Sequence, residues 1–590
     1  MFGLSHQPGI HRRGSYPRRG RISFQVLIIV FILGYFCKTS LYSLENYYTS
    51  ACDREVAIFS RESFTRSSDP DPGHSEPGDS NASKSGLETA KEDILDDRKN
   101  DDLVEALSKV LSTLPDQSSI DDAIGPIEGT GEAKVREVGA RARLFKSSFE
   151  AWEALHLLPT RDQMFVRQDT LQFLKRNPSL ADRLHLDHLS LLHRYEDFRS
   201  YLTQLSMRLF SWTVPYFPDL MTLHAQLWSG GKGIVLTGGD HQASYLLTSI
   251  QSMREMGCDL PVEVMYLGDD DLGEENRDKL EAIDGVMTRD LSPMVNDAGW
   301  KLAGWALKPF AIMLSSFREA IFIDADSLFL RDPATLFLDP DYQAKGALFF
   351  KDRIIQPDSK KAWLKQILPM PVSSQIRKNR FWTGESSHMQ ESGVVVIDKW
   401  KHFVALLVIT RLNGPDRDGN EAEGRVGVYD MVFGDKETFW LSFELVGDTD
   451  YAFHEGRVAT MGAAVVDQPS DDSEKPTHEL RDVESESRSE TFSICSPQLL
   501  HLDVAGRPLW FNGWLLPNKF SDNPHLQPVD FESFMVEPTE IKDPGPWELK
   551  LNNVLCLSSE HYSNFTTAEK ATLDTTIKIA KRVGAIGAGH

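Results

Sequence analysis

The chain has 590 residues, 41% of them hydrophobic, and a formal net charge of −24. That length holds several domains, or one large α/β domain with non-globular segments; the acidity excludes a general nucleic-acid binder, which needs a basic surface. Five cysteines are too few for a disulfide-built scaffold.

The first 21 residues carry Arg12, Arg13, Arg18, Arg19 and Arg21. An apolar run follows, ISFQVLIIVFILGYFC from Ile22 to Cys37, which extends to Tyr42 with Lys38 as its only charge. As a helix it would rise roughly 31 Å, enough for a bilayer core. Arginines on its N-terminal side predict a cytosolic tail (1–21), a signal-anchor span (22–42) and a luminal bulk, the type II arrangement. The rival is a cleaved signal peptide, but no clear small-x-small cleavage site follows Cys37. The short span suits the thinner membranes of the early secretory pathway.

Residues 43–102 read as a stem, because SSDPDPGHSEPGDSNASKSG is too polar to build a core. It holds the glycosylation sequon at Asn81; a second lies at Asn564. A helical collar is expected over 103–230, opening with Leu103, Leu107, Val110, Leu111 and Leu114 on one face as ordinary packing. From Gly231 the pattern changes: GIVLTGG reads as a buried strand ending in a glycine turn. A helix face (Ala243, Leu246, Leu247, Ile250, Met253), the strand PVEVMYLG and a polar helix follow. A short strand at Val286, a helix from Leu307 to Phe317 and the strand EAIFIDAD complete the series. This alternation predicts an α/β, doubly wound, mostly parallel sheet, which binds nucleotides beyond the carboxyl ends of its strands. Later strands are expected at 347–350, 394–397 and 499–502. The catalytic domain is drawn over 231–575, with an acidic, Ser-rich insertion at 467–490 and a C-terminal tail at 576–590.

Asp324-Ala325-Asp326 carries the chemistry. In an extended segment alternate residues share a side, so both carboxylates would face one cleft, where a divalent cation relieves their repulsion. Mn²⁺ or Mg²⁺ suits such oxygen ligands and leaves positions for diphosphate oxygens. The same spacing at Asp69/Asp71, Asp339/Asp341, Asp416/Asp418 and Asp448/Asp450 reads mostly as solvated or turn residues. What sets Asp324/Asp326 apart is the apolar strand before it and Leu328-Phe329-Leu330 after it.

The run LKPFAIMLSSFREAIFIDADSLFLRDPATLF resembles the donor site of the fungal α-1,3-mannosyltransferase family, Golgi type II proteins with a GT-A fold. QESGVVVIDK, YDMVFGDKETFWLSFEL and HLDVAGRPLWFNGW are similar too, in family order across about 231–514. The resemblance implies a GDP-mannose donor, Mn²⁺, and transfer with retention to a mannoside of a glycoprotein glycan. It implies Asp324 and Asp326 as metal ligands, with His501 either completing the shell or hydrogen-bonded in the core.

Gly238 and Gly239 are expected against the nucleotide, or as a tight turn only, and Lys308 against the diphosphate. Gln390, Glu391, Trp440, Trp510 and Asn512 are candidates for acceptor binding, with Trp514 beside them. Asp435, then Glu391, are candidates for the reaction centre; either would otherwise form a structural ion pair. Cys258 and Cys556 either pair or stay as buried thiols. Two other readings stand beside this one: the same fold using a UDP-sugar, and a catalytically silent, membrane-tethered glycan-binding scaffold.

Overall fold

The computed structural model describes residues 100–159, 164–167, 169–213, 219–467, 490–521, 523, 525–539, 545–551 and 554–587. The expected cytosolic tail, the span, the stem up to residue 99 and Asn81 lie outside these residues, as does nearly all of the acidic insertion. Among the described residues no helix is long and apolar enough to cross a membrane.

The collar is helical, and aspartates start several of its helices. Asp116, Asp187 and Asp219 each accept a hydrogen bond from a backbone N–H in the first turn of the helices Gln117–Ile124, His188–Leu209 and Leu220–Leu227. The boundary expected at residue 230 does not divide the core. Helix Phe403–Asn413 is buried along its whole length, so it needs cover on every side. The long helix Gly131–His156 supplies part of that cover, with Phe149 stacked on Phe403 at 5.5 Å. Leu103, Leu107, Val110 and Leu111 are buried in the same continuous core.

A small hairpin, β1 (Leu157–Pro159) and β2 (Met164–Val166), ends the first long helix. The main sheet contains β3 (Lys232–Thr237), β4 (Val262–Tyr266), β5 (Val286–Asp290), β6 (Glu319–Ile323), β8 (Ala347–Lys351), β9 (Gln390–Asp398) and β10 (Ala452–Phe453). Their order is β10-β8-β9-β6-β3-β4-β5. Ala320 and Phe322 of β6 enter the collar-side core, whereas Ile321 and Ile323 enter the core on the other face. Both faces are therefore covered, as the unbroken apolar strands required. The expectation of a mostly parallel sheet needs one correction: β9 runs antiparallel to both β6 and β8.

A second, six-stranded sheet has the order β19-β16-β11-β14-β15-β7. It comprises β7 (Ser327–Phe329), β11 (Val458–Gly462), β14 (Leu499–Leu502), β15 (Pro508–Asn512), β16 (Ser533–Val536) and β19 (Ser563–Asn564). The strand expected at 499–502 belongs here and not to the main sheet. A third sheet joins β12 (Val465–Val466), β13 (Phe492–Ser496), β18 (Leu555–Ser559) and β17 (Glu548–Leu549).

Two further expectations are corrected. Cys556 pairs with Cys495, its direct neighbour across β13 and β18, while Cys258 is a buried free thiol. The boundary at 575 falls inside the helix Thr567–Arg582, which packs on helix Ala243–Glu255. Thr566 of the second sequon caps that helix, and the exposed Asn564 accepts a hydrogen bond from Ser533 Oγ at 2.7 Å.

Candidate active site

The chain passes from the main sheet to the second sheet between β6 and β7, and Asp324-Ala325-Asp326 is the crossing. Asp324 follows the last residue of β6, and residues 325–326 form a turn in place of the extended segment expected. The turn is fixed from both sides. Asp324 N donates to Gly393 O of β9 at 2.8 Å, and Trp514 N donates to Asp326 O at 3.1 Å.

The turn lies in a cleft of about 1100 Å³ at the carboxyl ends of β3, β4 and β6. Gly238, Gly239, Lys308, Asp324, Asp326, Glu391, Asp435 and Asn512 all line it. Gly239 has a backbone reason to be glycine: a Cβ there would sit 2.5 Å from Asp271 O. Strand order separates two ends of the cleft. Gly238, Gly239 and Leu267 follow β3 and β4 on one side of the carboxylate turn; Glu391 of β9 stands on the other.

Lysines neutralise part of this site. Lys308 Nζ is 2.8 Å from Asp324 Oδ2, 3.2 Å from Ser392 Oγ and 3.5 Å from Asp435 Oδ2. Lys519 Nζ pairs with Asp326 Oδ2. Burial opposes the Lys308 charge, but Asp324 and Asp435 outweigh it and hold its pKa above the ordinary lysine value. Burial, against the pull of Lys308 and with Asp326 and Asp435 adding to it, pushes the Asp324 carboxyl up to about 7.

The two candidates for the reaction centre differ in how fully they are bonded. Glu391 Oε1 accepts from Gly393 N at 3.0 Å and Asn512 Nδ2 at 2.8 Å; Oε2 accepts from Lys436 Nζ at 2.5 Å. Lys436 also holds Asp352 at 2.7 Å. Burial disfavours the Glu391 charge, yet Lys436 keeps its pKa below the ordinary value. Glu391 is thus a fully bonded anion that fixes Asn512 and Lys436. Asp435 is equally buried, but its Oδ2 has no hydrogen-bond partner among the described residues.

Other candidates lie elsewhere. Trp440 is completely buried, donates from Nε1 to Glu437 Oε2 at 2.5 Å and stands edge-on to Phe381. It is a core residue and does not line the cleft. Trp510 is buried and stacked on His501 at 4.0 Å, and Trp514 is buried against Tyr245 at 3.9 Å. Gln390 is buried without lining the cleft. His501 is also absent from the lining. It lies on β14, separated from β7 by β15 and level with Phe329, three residues past Asp326. Burial depresses its pKa to about 3.

Hard oxygens of Asp324 and Asp326 fit Mn²⁺ or Mg²⁺, whereas buried His501 does not join them. Among the described residues no group of three His, Cys, Asp or Glu could hold a metal ion. The remaining positions of a cation here fall to the substrate's own oxygens and water. Charge supports that fit. Seven carboxylates line the cleft against four lysines, so an anionic diphosphate entering it needs a positive bridge.

The sequence reading missed Lys436, Lys519, Trp305 and Phe433, all of which line the cleft. Lys436 was adjacent to a candidate, but nothing in its spacing indicated that it would join Asp352 to Glu391. Phe433 and Lys519 lie on loops and Trp305 on the three-residue 3-10 helix Gly304–Ala306, all without a periodic signal.

A two-faced α/β sheet with a carboxylate turn in the cleft at the carboxyl ends of its strands has the place where open α/β sheets bind their ligands. Residues 231–503 match a family model described as "Mannosyltransferase putative". The chain is 27% identical over 257 residues to "Putative alpha-1,3-mannosyltransferase MNN14" of Candida albicans, covering 39% of this chain and 36% of that protein. To "Alpha-1,3-mannosyltransferase MNT2" of Saccharomyces cerevisiae it is 26% identical over 330 residues, covering 50% of this chain and 53% of that protein. The chain spans between about a third and a half of the length of the first curated relatives it matches. The solved structure of the mannosyltransferase Ktr4p from S. cerevisiae is 14% identical, covers 38% of this chain and 70% of that chain, and has a TM-score of 0.24. That likeness is too slight to support any inference. Over residues 231–503 the chain is similar to these mannosyltransferases, a group of glycosyltransferases that includes the fungal α-1,3-mannosyltransferases.

Proposed function

We propose that this protein is a retaining α-1,3-mannosyltransferase that moves mannose from GDP-mannose to a mannoside of a glycoprotein glycan. It acts in the Golgi as a single-pass type II membrane protein. The observation that carries the reading is the Asp324/Asp326 turn in a cleft whose carboxylates outnumber its lysines, seven to four. The names of the relatives supply the mannosyl group and the α-1,3 linkage.

The nucleotide lies past Gly238, Gly239 and Leu267, with its diphosphate over the aspartate turn. Asp324 and Asp326 would hold Mn²⁺ or Mg²⁺, whose charge would offset that of a departing diphosphate. Lys308 fixes Asp324 and adds a positive charge beside the leaving group. Asp435, whose Oδ2 faces Lys308 at 3.5 Å but accepts no hydrogen bond, takes one from the substrate at the reaction centre. Glu391 positions Asn512 and Lys436 and does not react.

The test is transfer by the full chain from GDP-mannose and from several UDP-sugars to an oligomannoside, with linkage analysis of the product. An α-1,3-linked mannose product is expected. Turnover of a UDP-sugar alone would overturn the donor; donor and acceptor binding without turnover would leave a silent scaffold.

A further inference from the structure

Among the described residues the exposed large aromatics are Phe165, Trp305, Phe433, Phe520 and Tyr562. Three of these, Trp305, Phe433 and Phe520, line the one cleft that holds the aspartate turn. Exposure of a whole indole or phenyl ring forgoes the stabilisation that burial would give, so their gathering here calls for a ligand.

Trp305 and Phe433 form the better-built pair. Their ring centroids are 6.1 Å apart with planes 34° from parallel, and they are 58% and 60% exposed. Both rings are supported from behind. Phe433 meets the edge of His388 at 5.4 Å. Trp305 lies on the backbone at Gly434, where a Cβ would come 2.9 Å from its Cε3. Gly434 has φ +61°, so both conformation and space favour glycine there. The next residue is Asp435, which lines the same cleft and whose Oδ2 stands 3.5 Å from Lys308 Nζ without accepting a hydrogen bond.

Strand order gives this pair its place. Phe433 meets His388, two residues before β9, and Lys436, next to Asp435, pairs with Glu391 of β9, on the side of the aspartate turn away from the glycine turn of β3. A ligand on Trp305 and Phe433 therefore meets the reaction centre from the end opposite the nucleotide.

We propose that Trp305 and Phe433 form the acceptor subsite, a platform for the apolar C–H face of a pyranose ring whose hydroxyls face Asp435. It replaces the buried Trp440 and Trp510 as the aromatic wall of the acceptor. The platform rests on the proposed glycosyl transfer for the identity of that sugar, a mannoside. Aromatic faces suit the C–H side of a sugar, and a buried carboxylate with an open lone pair suits its hydroxyls.

The experiment measures binding of an α-linked mannobiose to the full chain by saturation-transfer NMR, alongside GDP binding in Mn²⁺ by calorimetry. Trp305→Ala is expected to weaken mannobiose binding at least tenfold and Phe433→Ala several-fold, with GDP affinity unchanged. Trp305→Tyr, which keeps an aromatic face, should restore most of the binding. Unchanged mannobiose binding in both alanine variants would overturn the platform, as would an equal loss of GDP affinity. So would a wild-type chain that does not bind mannobiose. Binding that depends on Trp305 in a chain that never turns over GDP-mannose would sink the donor reading and leave the platform standing.

Discussion

Lys308 and Lys519 take one carboxylate each of the aspartate pair: Lys308 Nζ lies 2.8 Å from Asp324 Oδ2, and Lys519 pairs with Asp326. Lys308 comes from the buried helix Leu307–Leu314, and Lys519 from a loop following β15. The second lysine is the more exposed and the more readily exchanged. A cation arriving at Asp326 competes with it, while a bound diphosphate gains it. Lys519→Met should therefore raise affinity for Mn²⁺ alone by about threefold to tenfold and lower affinity for GDP in Mn²⁺ by a similar factor, as befits a half-exposed ion pair. Calorimetric titration reads both; changes in the same direction would contradict this exchange.

Asp435 and Glu391 should separate by kind of defect. Asp435→Asn keeps shape but removes the carboxylate charge beside Lys308, so transfer should fall at least about a hundredfold while GDP binding persists. Glu391→Gln leaves Lys436 with one carboxylate fewer and breaks a fully bonded group, so it should lower stability by about 1–3 kcal/mol. Transfer rates together with urea midpoints distinguish the two.

The core role of Trp440 predicts a stability loss of about 3–5 kcal/mol for Trp440→Ala. The indole is fully buried and bonded to Glu437. Where the variant stays folded, its acceptor KM should match the wild type, in contrast to Trp305→Ala.

The Cys495–Cys556 bridge closes a separation of 61 residues. Cys495→Ala and Cys556→Ala should each cost about 2–4 kcal/mol, and the double variant no more than the larger single loss. Thermal unfolding with and without reductant measures this. Cys258→Ala should show no reductant dependence of its own.

His156 is neutral in the fold. Burial, with Arg167 and Arg199 nearby, lowers its pKa to about 4 against the lift from its bond to Arg167 O. The unfolded chain binds this proton below about 6.5 and the folded chain only near 4, so stability is complete above 6.5. It is lost as pH falls between those values, by at most about 3 kcal/mol. His156→Gln should flatten that part of a urea-midpoint profile taken from pH 7.5 to 4.5.

Local pattern alone placed β3, β4, β6 and the core of β9, because strands buried on both faces must be continuously apolar and their glycine and aspartate exits interrupt that run. It also brought out Asp324 and Asp326, whose carboxylates stand out after Ile323. What it could not supply was pairing. The antiparallel direction of β9, the second sheet that receives the chain after Asp326, and Cys495 opposite Cys556 all depend on strands far apart in sequence. Burial around a side chain is likewise a sum over distant segments. Trp440 and Trp305 look alike as letters, yet helices close around one while Gly434 holds the other open to the cleft. Asp435 was visible as an acidic residue beside aromatics and Glu391 as one just before a strand; only the folded chain gave Lys436 and Asn512 to Glu391 and left Asp435 Oδ2 with Lys308 alone, without a hydrogen bond. The order of residues determined which groups could carry charge, and tertiary structure decided which of them is already neutralised.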